Sequence, residues 1–287
     1  MPRSPRSRPA RRAQPPGSRP PLRKSLGQHH LRDGALCRPL VEFLRPRGER
    51  VLEIGPGGGV LTAELERAGA HVLALELDWA WAMRLRRLAV GGAPIAIAVG
   101  DALDLDWRRL PPGTLVTGNL PYNVATALIE RCLVAGTGVP RAAFLVQLEV
   151  AERLIAAPGD EAYGSLSVLV AAYARPTWLG RVRRGSFVPP PKVDGGFVGL
   201  ERRAPPLPAA AMPALLETVR LAFAQRRKTL RNALAAGWGV AAAEAALGGA
   251  GLDPGARAET LSLEDFLALH RARTLAVPAA PAAAPKH

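Results

Sequence analysis

Four short stretches of this 287-residue chain carry side chains suited to chemistry, and each comes at the end of an apolar run. Glu53 to Val60 reads E-I-G-P-G-G-G-V. Glycines there let the backbone turn tightly and approach a ligand, although a purely structural turn has the same composition. Glu76 closes L-A-L-E, at about the spacing after a glycine loop where an acid meets ribose hydroxyls. Asp101, followed by Ala102, closes A-V-G-D, where a carboxylate can accept the exocyclic amine of an adenine ring. Each acid alone also reads as a solvated strand end; glycine loop, acid and acid in succession point to a nucleoside ligand. The fourth stretch is T-G-N-L-P-Y-N-V, Thr117 to Val124. The Asn119 side-chain oxygen and the Leu120 main-chain carbonyl are two acceptors suited to the N–H groups of an adenine N6 amine. That amine is a poor nucleophile because its lone pair is delocalised, and two acceptors would make it more tetrahedral. Pro121 stiffens the loop and has no N–H to compete. Tyr122 offers a ring face to a base that is unpaired or flipped out. Such a site works by positioning and electrostatics, with no general base of tuned pKa.

The elements that must position these groups can be read from the pattern. R-V-L-E-I-G, H-V-L-A-L-E-L, P-I-A-I-A-V-G-D, G-T-L-V-T-G-N and R-A-A-F-L-V-Q predict strands. Helix-like segments follow most of them: G-G-V-L-T-A-E-L-E-R-A-G, W-A-W-A-M-R-L-R-R-L, A-T-A-L-I-E-R-C-L and E-V-A-E-R-L-I-A. Repeated β-then-α units imply an α/β fold with a doubly wound, mainly parallel sheet. Ligands in such sheets sit beyond the carboxyl ends of the strands, where the four stretches fall. Near Arg202 a Pro-rich connection leads into an Ala- and Leu-rich helical region. The expected division is a disordered basic tail over 1–22, a catalytic domain over 23–203, a small all-helical domain over 204–276 and a frayed end over 277–287.

A formal charge of +14 favours a polyanionic partner, nucleic acid or an anionic membrane. No apolar run is long enough to span a bilayer, so no membrane crossing is expected. Two cysteines, Cys37 and Cys132, without CxxC or ligand-spaced histidines, predict neither a disulfide framework nor a metal site. They fit a reducing compartment, and the N-terminus lacks the apolar core of a secretory signal. The expected location is the cytoplasm. The Arg-, Pro- and Ser-rich tail either adds nonspecific phosphate attraction or is merely solvated. Arg227 and Arg231 stand one helical turn apart in Q-R-R-K-T-L-R-N, with Arg220 two turns before Arg227 and Lys228 beside it. The segment reads as a phosphate-binding ridge with little local acid to offset it, or as a solvated face. Arg181, Arg183 and Arg184, just before Phe187, form a second basic cluster suited to phosphate attraction.

The glycine loop lacks the last glycine of the dinucleotide fingerprint, since Val60 stands there, but is similar to the G-x-G-x-G loop of S-adenosylmethionine-dependent methyltransferases. With N-L-P-Y after it, the chain resembles the rRNA adenine N6,N6-dimethyltransferases of the KsgA type. K-S-L-G-Q-H-H-L-R-D (24–33), V-Q-L-E-V-A-E-R-L with A-P-G-D-E-A-Y-G-S-L-S-V (146–168), F-V-P-P-P-K-V-D (187–194), F-A-Q-R-R-K-T-L-R-N-A-L (223–234) and G-L-D-P-G-A-R-A-E-T-L-S-L-E-D-F (251–266) extend the match over almost the whole chain. The resemblance implies that His29, Leu31, Gly55, Gly57, Glu76, Asp101, Ala102 and Asn119 line an S-adenosylmethionine site, His29 and Leu31 partly through backbone. It also implies that Tyr122 and Phe187 sandwich the target adenine, and that Arg183, Arg184, Arg220, Arg227, Lys228 and Arg231 meet RNA. The implied activity is dimethylation of two adjacent adenines in a loop near the 3′ end of small-subunit rRNA, by a monomer acting on a small-subunit precursor and not on DNA. Leu26 and His30 stand where the family usually has Phe, His29 where Asn is common, Ala125 for a Ser, and Gly195-Gly196 for a Ser-Ala pair. Rival readings are an erythromycin-resistance-type methyltransferase of large-subunit rRNA, a non-catalytic RNA-binding assembly or mitochondrial transcription factor, and a small-molecule methyltransferase, which would not need so much positive charge.

Overall fold

A computed structural model describes residues 20–23, 27–88, 95–225 and 227–276. Most of the tail expected over 1–22, residues 24–26 of the K-S-L motif (Leu26 among them), Arg226 and the end expected over 277–287 lie outside the described residues. In chain order the elements are β1 (His30–Leu31), α1 (Arg38–Leu44), β2 (Arg50–Ile54), α2 (Val60–Arg67), β3 (His71–Glu76), α3 (Trp79–Leu88) and β4 (Ile95–Val99). There follow β5 (Leu115–Asn119), α4 (Ala125–Val134), β6 (Arg141–Gln147), α5 (Leu148–Ile155), α6 (Ser165–Tyr173), β7 (Ala174–Val182), β8 (Phe187–Val188) and β9 (Gly195–Arg202). The helical region comprises α7 (Met212–Phe223), α8 (Leu230–Trp238), α9 (Val240–Ala250) and α10 (Leu263–Ala276).

The main sheet has the order β4-β3-β2-β5-β6-β9-β7. The five apolar runs read from the sequence become β2 to β6 and pair in parallel, while β9 and β7 add antiparallel. β2 and β5 are buried on both faces along nearly their whole length, as in a helix-covered parallel sheet, with Glu53 and Thr117 the polar residues inside them. The strand order reverses between β2 and β5. Loops leaving their carboxyl ends therefore diverge to opposite faces and open a crevice between them. The pair β1–β8 lies apart from the main sheet and joins the N-terminal segment to the F-V-P-P-P stretch, with Leu31 opposite Phe187.

One face of the sheet shares its apolar core with the helical region. Phe144, Val168 and Tyr163 belong to the same buried cluster as Leu215, Val219, Leu234 and Phe266. The Tyr163 hydroxyl donates to the Leu261 carbonyl at 2.8 Å, so the A-P-G-D-E-A-Y block serves to dock the two halves. Cys37 and Cys132 are buried in different clusters, each thiol pushed up to about 12, by burial first. No described helix is long and apolar enough to cross a membrane.

Candidate active site

A single cleft opens at the carboxyl ends of β2, β3, β4 and β5. Glu53, Gly55 and Gly57 line it from β2 and its loop, Glu76 from β3, Asp101 and Ala102 from the end of β4. Asn119, Leu120 and Tyr122 line it from β5 and the turn that follows. His29, His30 and Leu31 close it from the N-terminal segment. All the residues named for the cofactor pocket thus share one surface with Asn119, Leu120 and Tyr122, but not with Phe187.

The glycine loop owes its shape to two backbone requirements. Gly55 and Gly57 have φ of +66° and +51°, in the region side chains disfavour. Above Gly55 a Cβ would meet nothing within 4 Å, so the loop leaves an open approach to the main chain. At Gly57 a Cβ would come within 2.3 Å of His30 Cε1. The Gly57 N–H donates to Glu76 Oε2 at 2.9 Å, and the Asp78 N–H to Glu76 Oε1 at 2.8 Å. The β3 acid is thus held by backbone donors from two loops. Burial raises the Glu76 carboxyl above its ordinary value, and those two N–H groups act against the rise. Asp101 Oδ1 accepts the Leu103 N–H at 2.8 Å, which fixes its side chain against the turn after β4.

Sequence reasoning quoted Glu53 but gave it no part. It is 1% exposed, and burial pushes its carboxyl up to about 8, with the Glu76 charge adding to the rise and Thr62 opposing it. Neither Glu53 Oε2 nor the Thr62 hydroxyl has a well-aligned hydrogen bond among the described residues. A buried acid oxygen without a donor, at a cleft wall, is suited to a cationic ligand group. The available signal was an acid inside the otherwise apolar run V-L-E-I.

On the other side of the cleft, the Asn119 Nδ2 donates to the His29 carbonyl at 2.6 Å. Only the amide nitrogen can face a carbonyl, so Asn119 Oδ1 is turned away from the His29 carbonyl and remains an acceptor. The His29 ring stacks on Tyr122, with centroids 5.4 Å apart and planes 26° from parallel. Its Nδ1 lies 2.8 Å from the Pro189 carbonyl, and that contact requires an Nδ1–H donor. His29 therefore touches the base side of the cleft through both backbone and ring. The Tyr122 hydroxyl is buried without a partner among the described residues; burial, then the Asp194 charge, pushes it up to about 12, so it stays un-ionised at neutral pH. Phe187, expected opposite Tyr122, does not line the cleft. It is fully buried, packed with Leu31, Leu145 and Phe197, because β8 is pinned beneath β1.

The basic segments also depart from expectation. Arg220 lies in the last turn of α7, Arg227 and Lys228 sit in a connection, and Thr229 caps α8, which carries Arg231, through the Asn232 N–H, so no continuous helix aligns the cations. Local acid does offset two of them: Arg220 pairs with Glu130 at 3.2 Å and Arg231 with Glu244 at 2.7 Å. Arg227 and Lys228 are exposed. Arg183 and Arg184 are exposed just ahead of Phe187, while Arg181 is tied to Asp194 at 2.7 Å.

Comparison with known proteins bears on what this arrangement is. A family model described as ribosomal RNA adenine dimethylase matches residues 20–273. The chain is 41% identical over 252 residues to "Ribosomal RNA small subunit methyltransferase A" of Methylococcus capsulatus, covering 87% of this chain and 96% of that one. It is 44% identical over 258 residues to the protein of the same name from Rubrobacter xylanophilus, covering 89% and 96%. Among solved structures, a dimethyladenosine transferase from Plasmodium falciparum shares the fold, with a TM-score of 0.72 at 24% identity over 84% of this chain and 96% of that one. The 23S rRNA methyltransferase ErmE aligns with a TM-score of 0.67 at 30% identity, over 85% and 99%.

Proposed function

This chain belongs to the ribosomal RNA adenine dimethylase family, and we propose that it dimethylates N6 of two adjacent adenines, in a loop near the 3′ end of small-subunit rRNA, using S-adenosylmethionine. Relatives 40% to 44% identical carry the small-subunit name, whereas the large-subunit enzyme ErmE stands at 30%, which favours the first substrate over the second. The observation that carries the reading is the meeting in one cleft of Gly55, Glu76 and Asp101 with an Asn119 amide whose oxygen is left to accept.

The residues present fit the cofactor. The loop at Gly55 leaves the main chain open, and the buried Glu53 oxygen lacks a donor where a cationic group could come. Glu76 would hold the ribose hydroxyls and Asp101, with Ala102, the adenine ring; His29, Leu31, Gly57 and Asn119 complete the wall. When bound, S-adenosylmethionine supplies an electrophilic methyl group on a sulfonium. The protein's own part is to present the nucleophile. Asn119 Oδ1 and the Leu120 carbonyl accept from the target amine and localise its lone pair, and Tyr122 offers a ring face on which the extruded base stacks. These acceptors are already fixed before reaction, so little reorganisation is needed during it. Phe187 contributes from behind, by anchoring the segment that carries His29.

The reading takes 23–203 as the catalytic unit and 204–276 as the unit that helps hold RNA, with Arg183, Arg184, Arg227 and Lys228 the exposed cations closest to that role. Arg220 and Arg231 would have to exchange an intramolecular carboxylate for phosphate. A monomer acting in the cytoplasm on a precursor of the small subunit, with no DNA partner, completes the proposal. Incubating under-methylated small subunits and, separately, large subunits with labelled S-adenosylmethionine tests it. Label confined to two adjacent small-subunit adenines is expected; label on the large subunit alone would replace this reading with the resistance-type one.

A further inference from the structure

His30 faces the glycine loop rather than the base side, and nothing in the proposed reaction yet uses it. The Gly58 N–H donates to its Nδ1 at 2.9 Å. Its ring packs against Trp81 of α3, with centroids 4.5 Å apart. The same ring fills the space where a Cβ on Gly57 would stand. Trp81 is 3% exposed, so the imidazole is held from behind by a fixed surface.

These contacts define an acceptor role. An Nδ1 that receives an N–H carries no proton, so the ring is neutral while the bond lasts. The bond fixes the Gly58 peptide, while the ring limits movement at Gly57. The Gly57 N–H is the one that reaches Glu76 Oε2. His30 is thereby linked, through two successive residues of the loop, to the acid proposed to hold the ribose.

We infer that His30 is a positioning residue for the cofactor: it clamps the Gly57–Gly58 turn so that the loop and Glu76 are set before S-adenosylmethionine arrives. The role rests on the function proposed above. It requires a hydrogen-bond acceptor at position 30, where an apolar side chain could supply packing but not the bond. Without the clamp the loop has to be ordered on binding, which costs affinity for the cofactor but leaves Asn119 and Tyr122 untouched.

Calorimetric titration of S-adenosylhomocysteine into the full-length protein reads this without turnover. His30→Phe keeps a ring and loses the acceptor, and His30→Gln offers a carbonyl oxygen to the Gly58 N–H. Binding to His30→Phe is expected to weaken roughly tenfold, the value of one hydrogen bond, and His30→Gln to recover most of it. His30→Leu makes the same prediction as Phe should the larger ring not fit over Gly57; thermal melts identify which variants are folded. In steady-state assays the KM for S-adenosylmethionine should rise with kcat and the KM for small subunits little changed. Wild-type affinity in folded His30→Phe or His30→Leu, or a Gln variant as weak as they are, would overturn the role. Failure of the wild-type protein itself to bind would instead overturn the function proposed above, and this role with it.

Discussion

The cleft and the basic connection between α7 and α8 use charge in opposite ways. In the cleft two of the three acids are buried, Glu53 1% and Glu76 5% exposed, with Asp101 half-buried, and Glu76 is held by backbone N–H groups rather than by cations. In the connection Arg227 and Lys228 are exposed, and the cations on the flanking helices, Arg220 of α7 and Arg231 of α8, are answered by carboxylates of the same chain. A buried group in a low-dielectric site acts strongly and alone. Exposed ion pairs are individually weak, and attraction to RNA is shared among many of them. Chemistry should therefore be concentrated in a few side chains of the cleft, and RNA affinity spread thinly over the surface.

Substitutions can break or sharpen that contrast. The largest effect is expected for Asn119→Ala, which removes one of two acceptors: methyl transfer should fall on the order of 10²- to 10³-fold or vanish, with the fold retained and S-adenosylhomocysteine binding weakened far less than transfer. Glu76→Ala should weaken S-adenosylhomocysteine binding by roughly 10- to 100-fold, the worth of hydrogen bonds to a charged group, as read by calorimetry. Unchanged affinity would remove Glu76 from the site.

A smaller effect follows from Glu53, whose carboxyl is pushed up to about 8 by burial. The free protein keeps the proton below that pH, and a cationic ligand group favours its loss. Cofactor affinity should therefore rise with pH towards about 8 and then level off, by at most about tenfold per pH unit, the limit for one proton. Glu53→Gln should flatten the profile. The sign for stability is the reverse: the folded state holds a proton that the unfolded chain releases near 4.5, so this contribution is full below that value and is lost as pH climbs through about 8.

Outside the cleft, Tyr163→Phe leaves the buried Leu261 carbonyl without its donor, and should cost about 1–3 kcal/mol and lower the melting temperature by a few degrees, with kcat preserved. The smallest effects belong to the connection. Arg227→Ala and Lys228→Ala should each reduce rRNA affinity only a few-fold and lower the slope of affinity against salt by about one unit. An affinity that stays flat across a salt titration would contradict the distributed picture.

What could be read from the sequence follows the same divide. The parallel strands were legible as short runs rich in Val, Leu, Ile and Ala, β2, β5 and β6 being buried along most of their length, and the glycine loop, Glu76, Asp101 and Asn119 fall at strand ends as expected. The antiparallel β7 and β9 were not, since P-T-W-L-G-R-V alternates weakly and G-G-F-V-G-L-E-R is broken by glycines. The ion pair Arg220–Glu130 joins residues ninety positions apart, so no local pattern announces it. The break before α8 did leave a trace, a Thr at position 229 suited to capping, but a run of basic residues hid it. The burial of Phe187 has no local signal, since only the pairing of β8 with β1 covers its ring. From the sequence His30 is only a departure from the family's Phe, and the approach of Gly58 is what gives it a task.

The most direct test of the central claim, that a pre-oriented Asn119 amide in the glycine-lined cleft activates an extruded adenine, is base-resolved methylation of under-methylated small subunits by wild-type protein and Asn119→Ala side by side, with cofactor binding measured on both. Two dimethylated neighbouring adenines with the wild type, and none with a variant that still binds S-adenosylhomocysteine, is the predicted result. Methylation by the variant at the wild-type rate would contradict it.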